Sequence, residues 1–344
     1  MTNDIDRDGE PLVKKPKTTG FKDTSKRLRR GKENHIAHRA SLDWRQDRDR
    51  VCNPFGDVVD YVDLAELKAV VMKSGTGEAL LCGGSARGLN VYYDSQVPVS
   101  QFYPRDKECF ITLNPHHTKG ELLNMLVREL RRAWQYDQGA LINPMSFEPD
   151  EAILVNRAQQ ADVLMASVKV AWELKLAGEA EAWNFMAGSP MADVTRVFEI
   201  HAQKDFRTLN NGEASRAAYD KFFEEKRTKA HDKRIIHQML LDDQGYMKAP
   251  QKFPKVGMDL FRKLGEMPHG RNYLSISSKK PPTDTCYSTI EDRSNANFLW
   301  FIKFERSFQE KEQEMLQESA KASANVVDFT RWSSQTRRQQ GPGT

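Results

Sequence analysis

The sequence predicts an α+β, mostly helical fold, in which a small sheet packs on a central helix and a C-terminal segment wraps over further helices. Three patterns lead to this prediction. Short apolar runs separated by Gly, Pro and Ser lie between residues 79 and 114 and are typical of strands. A capped amphipathic pattern follows from 118 to 137. Helical periodicity then recurs between 149 and 241.

The chain begins with a charged stretch that is not expected to fold. Residues 1–50 contain few aromatic or β-branched residues, so burial cannot offset the entropy of ordering them. Apolar residues at helical spacing from Leu64 to Val71 predict a first helix, which Gly75 ends. Three strands are predicted next, with Gly83–Gly84 as a hairpin turn. They cover Ala79–Gly84, Gly88–Asp94 and Glu108–Asn114.

The pattern from Thr118 to Asp137 predicts the central helix. Thr118 and Glu121 are spaced as a capping box, and Gly139 closes the helix. The apolar side chains of this stretch share one stripe, and Glu129 falls about 80° to one side of it, at the edge of the expected core. The stripe consists of Leu122, Leu126, Leu130, Ala133 and Trp134.

Further helices are predicted along the rest of the chain, and they define the expected domain layout. Helical patterns cover 149–178, 179–187, 192–209 and 213–241. The layout is a disordered basic tail at 1–50, an α+β domain at 51–245, a loop-rich wrap at 246–290, a C-terminal helix at 291–330 and a disordered tail at 331–344.

The positive charge is concentrated in the N-terminal tail. Residues 1–50 hold 14 Lys and Arg against 9 Asp and Glu, whereas the whole chain has 52 against 48. The densest basic run is KDTSKRLRRGK, residues 22–32. Such a run is either a solvated tail or a contact for nucleic acid or another acidic partner, because basic residues bind phosphate backbones by releasing counterions.

The N-terminal sequence and the spacing of the cysteines indicate where the protein is located and the state of its thiols. The sequence shows no apolar run long enough to span a membrane and no signal-peptide core at its N-terminus, which predicts a cytoplasmic protein without a membrane partner. No two cysteines form a CxxC pair, so we expect reduced, mostly buried thiols and no cysteine zinc site. The four are Cys52, Cys82, Cys109 and Cys286.

The central helix carries the sequence Arg128-Glu-Leu-Arg-Arg132. In the zinc-peptidase pattern H-E-x-x-H, two histidines at i and i+4 bind the metal from one helix face, and the glutamate between them is the general base. Here arginines stand at both ends. Arginine has no free lone pair and stays protonated, so it cannot coordinate zinc. By itself this five-residue sequence is more typical of the charged flank of an amphipathic helix than of a remnant metal site.

The surrounding sequence is more particular than the charge pattern. A strand ending in ITLNP leads into the capped helix and then into AWQ, and NRAQQADVLMASVKVAWELKLAGEAEAW follows at 156–183. Over roughly 110–186 the chain resembles a family of uncharacterised bacterial metallopeptidases, in which a strand leads into a helix of the form HELRHAWQ. The resemblance implies a zincin-like fold, with the small sheet packed on the central helix.

The resemblance also implies roles for individual residues. Glu129 falls on the general base, and Trp134 and Gln135 fall on the end of the family's helix. Arg128 and Arg132 fall on the two histidine ligands. Gln160 falls where a third, carboxylate ligand could come from the following helix. All three ligand places are therefore altered, although the fold inference is unaffected, because sites can be lost from a fold that persists.

Two classes of function remain open. The preferred one is a catalytically inactive module that binds a peptide or protein ligand in the remnant cleft, with Glu129 ion-paired to Arg132 or to a facing helix. The other is an active metallopeptidase, which requires zinc on a rebuilt ligand set drawn from His116, His117, Asp162, His201, His231 and His237. A nucleic-acid-associated role through residues 22–32 is a further alternative. The expected cleft residues are Glu129, Arg128, Arg132, Gln135, Gln160 and Asp162.

Overall fold

The computed structural model of the chain describes residues 61–104, 108–241, 255–275 and 283–336. These residues form a mostly helical α+β fold with one three-stranded mixed sheet, which confirms the predicted class. The strands are β1 (Asn90–Tyr93), β2 (Ser100–Tyr103) and β3 (Phe110–Leu113). The α-helices are α1 (Leu64–Val71), α2 (Gly75–Ala86), α3 (Lys119–Asp137), α4 (Pro149–Leu176), α5 (Glu181–Ala187), α6 (Ala192–Lys204), α7 (Thr208–Asn211), α8 (Glu213–Lys221), α9 (Glu225–Leu241), α10 (Met258–Leu264) and α11 (Arg293–Thr336).

The sheet has the strand order β1-β3-β2, so β2 is an edge strand. β1 runs parallel to β3 and β2 runs antiparallel to it, and Val91 and Phe102 both pair with Ile111. The strand predictions that include β1 and β3 are confirmed. The sequence pattern does not predict β2, because this four-residue strand fully buries only Phe102 and so has almost no periodic signal.

The prediction of a strand at Ala79–Gly84 is wrong, because these residues lie inside α2. The Ser74 side chain caps this helix and also donates a hydrogen bond of 2.6 Å to Glu173 on α4. Gly84 packs closely against Leu89, since a Cβ at this glycine would lie 2.6 Å from the Leu89 Cδ2 atom. Gly84 therefore serves close packing of a helix, and Gly83–Gly84 is not a hairpin turn.

Helix α3 begins at the predicted capping box. The Thr118 backbone N–H donates to the Glu121 carboxylate at 2.9 Å, and the Thr118 side chain accepts the Glu121 N–H at 3.4 Å. The helix contacts β2 and β3 as well as α4, so it lies between the sheet and the central helices. The predicted packing of the small sheet on this helix is thereby observed.

Two buried arginine–aspartate pairs connect three helices. Arg131 on α3 donates to both oxygens of Asp162 on α4 at 2.8 Å. Arg157 on α4 donates to both oxygens of Asp232 on α9 at 2.8 and 2.6 Å. Each arginine also donates to two main-chain carbonyls of the C-terminal segment, which fixes that segment on the helices. These carbonyls belong to Leu264 and Glu266 for Arg131, and to Tyr287 and Thr289 for Arg157.

The described parts of 246–290 lie against the helices and contribute buried side chains to the core, among them Phe261, Tyr273 and Tyr287. Helix α11 follows and continues to Thr336, beyond the expected end at 330. The two long helices expected at 192–209 and 213–241 are each divided in two. The predicted tail at 1–50 and the last residues, 337–344, lie outside the described residues.

The helices and the cysteines bear on the predictions about membranes and thiols. None of their helices has an apolar stretch long enough to cross a bilayer. Cys82 and Cys286 are exposed thiols and Cys109 is half-buried, so the expectation of mostly buried thiols is wrong. Cys52 lies outside the described residues.

We predict that Gly120→Ala destabilises the protein, although alanine is the better helix former. A Cβ at Gly120 would lie 2.6 Å from the carbonyl oxygen of Glu181, so α3 and α5 must separate. The expected loss in the free energy of unfolding is about 1–3 kcal/mol, measured by urea denaturation. Gly75→Ala is the control, because a Cβ at Gly75 would have no atom within 4 Å and stability should not fall. Equal effects of the two substitutions would contradict the packing argument.

Candidate functional site

A chain of polar contacts runs from the edge strand across α3 to α4. Ser100 on β2 donates to the Glu129 carboxylate at 2.8 Å. The Nη1 atom of Arg132 lies 3.1 Å from each Glu129 oxygen, which is the ion pair expected from the sequence. The Nη2 atom of Arg132 donates to the Gln160 side-chain oxygen at 3.4 Å. The structure therefore brings together Glu129, Arg132 and Gln160, three of the predicted site residues.

Glu129 is more deeply buried than the helical stripe predicts. Its side chain is only 1% exposed, against 24% for Arg132. The edge strand covers this side of α3 through Ser100, and a helical wheel contains no information about that strand. The Glu129 side-chain oxygens accept hydrogen bonds from Ser100 and Arg132.

Arg128 lies one helical turn before Arg132, on the same strip of α3. Its side chain is half-buried, yet no hydrogen bond or ion pair reaches it from any described residue. Burial lowers the pKa of Arg128, the charges of Arg132 and Arg234 lower it further, and Glu129 acts in the opposite direction. Arg128 is thus a partly desolvated cation without a neutralising partner among the described residues.

Helix α9 adds a histidine and further positive charge beside these arginines. Burial lowers the pKa of His231 to about 4, and the charges of Arg234, Arg128, Arg227 and Arg132 lower it in the same direction. The imidazole is therefore uncharged at neutral pH. Arg227 is ion-paired with a residue of α6. Arg234 is exposed and, like Arg128, has no ion-pair partner among the described residues.

Gln135 and Asp162, also expected to line the cleft, lie in the core instead of on an accessible surface. Asp162 is 0% exposed and accepts hydrogen bonds from Arg131, Gln135 and Tyr273, the last two at 2.7 Å. Gln135 is 1% exposed. Sequence analysis does not identify Arg131 as the partner of Asp162, because a helical pattern cannot distinguish a buried arginine from a surface one.

The residues around Glu129 do not fit a zinc ion. The Arg132 guanidinium occupies both oxygens of Glu129, and Arg128 adds a second positive charge beside them, so a divalent cation would be repelled. Arginine also offers no lone pair to a metal. Over the described parts of the chain, no three His, Cys, Asp or Glu side chains are grouped in a way that could hold a metal ion.

The histidines considered for a rebuilt ligand set are dispersed. His116 packs edge-on against Tyr61, and His117 lies 3.6 Å from the Glu121 carboxylate at the start of α3. His201 lies on α6, whereas His231 and His237 lie on α9. The basic run at 22–32, a candidate contact for nucleic acid or an acidic partner, lies outside the described residues.

Comparison with known proteins identifies the family. The sequence profile of the Putative metallopeptidase family (DUF6782) matches residues 46–275, about two thirds of the chain, and the chain belongs to this family. The match includes the whole of the strand-and-helix region that carries the resemblance. No curated protein and no solved structure matches the chain.

We predict that Asp162→Ala is severely destabilising. The substitution leaves the buried Arg131 charge uncompensated, and it removes the acceptor of Tyr273 and one of the two acceptors of Gln135. Breaking a buried pair in this way costs about 3–5 kcal/mol, which urea denaturation can measure. The matched control is Asp150→Ala, because Asp150 pairs with Lys303 at the surface, where the side chains are 57% and 49% exposed, and such pairs contribute about 1 kcal/mol or less. A loss at Asp162 no larger than at Asp150 would show that the buried pair is dispensable.

Proposed function

We propose that this chain is a non-catalytic member of its metallopeptidase family, which binds a peptide or protein segment where β2 meets α3. The observation that carries the proposal is the Arg132 guanidinium held against both oxygens of buried Glu129. Metal-dependent peptide hydrolysis needs a carboxylate that can take a proton from a metal-bound water. Here the carboxylate is neutralised by an arginine instead.

The ligand positions support the same conclusion. The resemblance places Arg128 and Arg132 where the family's histidines stand, and both are cations that cannot coordinate a metal. Gln160, at the place of the third ligand, is engaged by Arg132 through its side-chain oxygen. These contacts of Arg132 would have to break before a metal could enter. They are therefore consistent with a role in ligand binding and not with hydrolysis.

A peptide is the ligand best suited to the neighbouring strand. Among the described strands β2 is at the edge of the sheet, so one side of its backbone is unpaired within the sheet. Such an edge can accept an extended peptide as an additional strand, with main-chain hydrogen bonds giving affinity. Ser100 connects this edge directly to Glu129 and hence to the arginines of α3.

The first test restores the metal ligands. We expect purified wild-type protein to contain no stoichiometric zinc and to leave a quenched fluorogenic peptide library uncleaved in the presence of added zinc. The variant Arg128→His, Arg132→His, Gln160→Glu removes both cations and supplies two imidazoles and a carboxylate, so it should bind about one zinc per chain. Atomic absorption after dialysis measures both proteins. Gln160→Glu alone, which keeps the arginines, is the control and should stay zinc-free. One zinc in each wild-type chain would refute the non-catalytic assignment.

The second test concerns peptide binding. The wild-type protein should enrich specific peptides from a displayed random library, and Glu129→Gln should weaken the enriched peptides' binding at least about tenfold, because it frees Arg132 and loosens the contact to β2. Glu181→Gln, at an exposed position on α5, should bind as the wild type does. Circular dichroism establishes that the variants are folded. Equal binding by folded Glu129→Gln and wild type would place the ligand elsewhere.

A further inference from the structure

The strip that carries Arg128 has an unbalanced positive charge. Arg128 and Arg132 lie one helical turn apart on α3, and the positive charges of Arg132 and Arg234 both act on Arg128, against the single carboxylate of Glu129. His231 is neutral, and the charge of Arg227 is compensated within the protein. Three positive charges against one negative charge among these described residues leave a net charge of +2.

Arg128 donates no hydrogen bond to any described residue. A guanidinium has five N–H donors in a fixed planar arrangement, and burial strips part of their hydration. Arg131, on the same helix, has acceptors on Asp162 and on two carbonyls. Arg128 has no acceptor among the described residues. A half-buried arginine that is neither paired nor fully hydrated is poised to receive an acceptor from outside the chain.

We propose that Arg128, with Arg132 and Arg234 beside it, forms an oxyanion-binding site that takes a carboxylate or phosphate group of the bound ligand. The planar fork of Arg128 suits two-point binding of such a group, and one or two negative charges would balance the local excess. The charges of Arg128, Arg132 and Arg234 act on His231, which is uncharged at neutral pH and so does not compete for the anion. This inference deepens the proposed function and rests on it, since the anion belongs to the peptide or protein held beside β2.

The site can be tested by using His231 as an internal reporter. A bound anion favours the imidazolium, so inorganic phosphate should raise the pKa of His231 from about 4 towards its ordinary value, which NMR titration of the imidazole measures. Arg128→Ala should abolish the phosphate-induced rise, and Arg128→Lys, which keeps the charge but not the fork, should retain part of it. Arg207→Ala is the control, because Arg207 is 78% exposed and pairs with Asp205. An unchanged His231 pKa in saturating phosphate would overturn the proposal.

Three peptides then distinguish the source of the oxyanion. They are identical except for one residue, which is phosphoserine, glutamate or glutamine, and their affinities are measured by fluorescence anisotropy. The two anionic peptides should bind about ten- to a hundredfold more tightly than the glutamine peptide, and Arg128→Ala should remove this difference. The tighter of the two identifies phosphate or carboxylate. Equal binding of all three peptides, or a preference that survives Arg128→Ala, would overturn the site.

Failure of the anion site can be separated from failure of the proposed function. If the glutamine peptide binds as tightly as the others and remains intact, the non-catalytic binding role stands and only the oxyanion site is lost. If the wild-type chain retains zinc and cleaves the peptides, the proposed function fails, whatever the His231 titration gives.

Discussion

The structure depends on two buried arginine–aspartate pairs, Arg131 with Asp162 and Arg157 with Asp232. A charge removed from water is tolerated only when a partner charge and further hydrogen bonds replace its hydration. Each pair meets this requirement by joining two helices and by binding main-chain carbonyls of the C-terminal segment. The first pair holds α3 and α4 in one alignment along their axes. That alignment also determines where the other charged residues of α3 are placed.

Helix α3 contains three arginines within five residues, and their surroundings differ sharply. Arg131 points into the core, where its Nε and Nη2 atoms donate to Asp162 and to two carbonyls. Arg132 is partly exposed and pairs with Glu129. Arg128 is half-buried and has no partner among the described residues. The half-buried arginine without a protein partner is therefore the one that we propose binds a ligand, whereas the buried one joins two helices.

The family relationship and the proposed loss of catalysis are compatible on physical grounds. The core contacts of α3 come from its apolar stripe and from Arg131, and neither involves the positions that would bind a metal. Under the proposed function, arginines at these two positions leave the packing of the helix intact. They also make the region suited to an anion instead of a cation, and Glu129 compensates the charge of Arg132.

The sequence by itself determined the elements with strong local signals. The capping box and apolar stripe of α3 and the long pattern of α4 predict those helices closely, because their causes lie within a few residues of chain. The glycine-rich run in α2 was misleading, since it lies in a helix in which Gly84 packs against Leu89, a contact that the glycine pattern does not reveal. Only the tertiary structure decided that Asp162 is buried with Arg131 and that Ser100 covers Glu129, because both depend on contacts between distant segments.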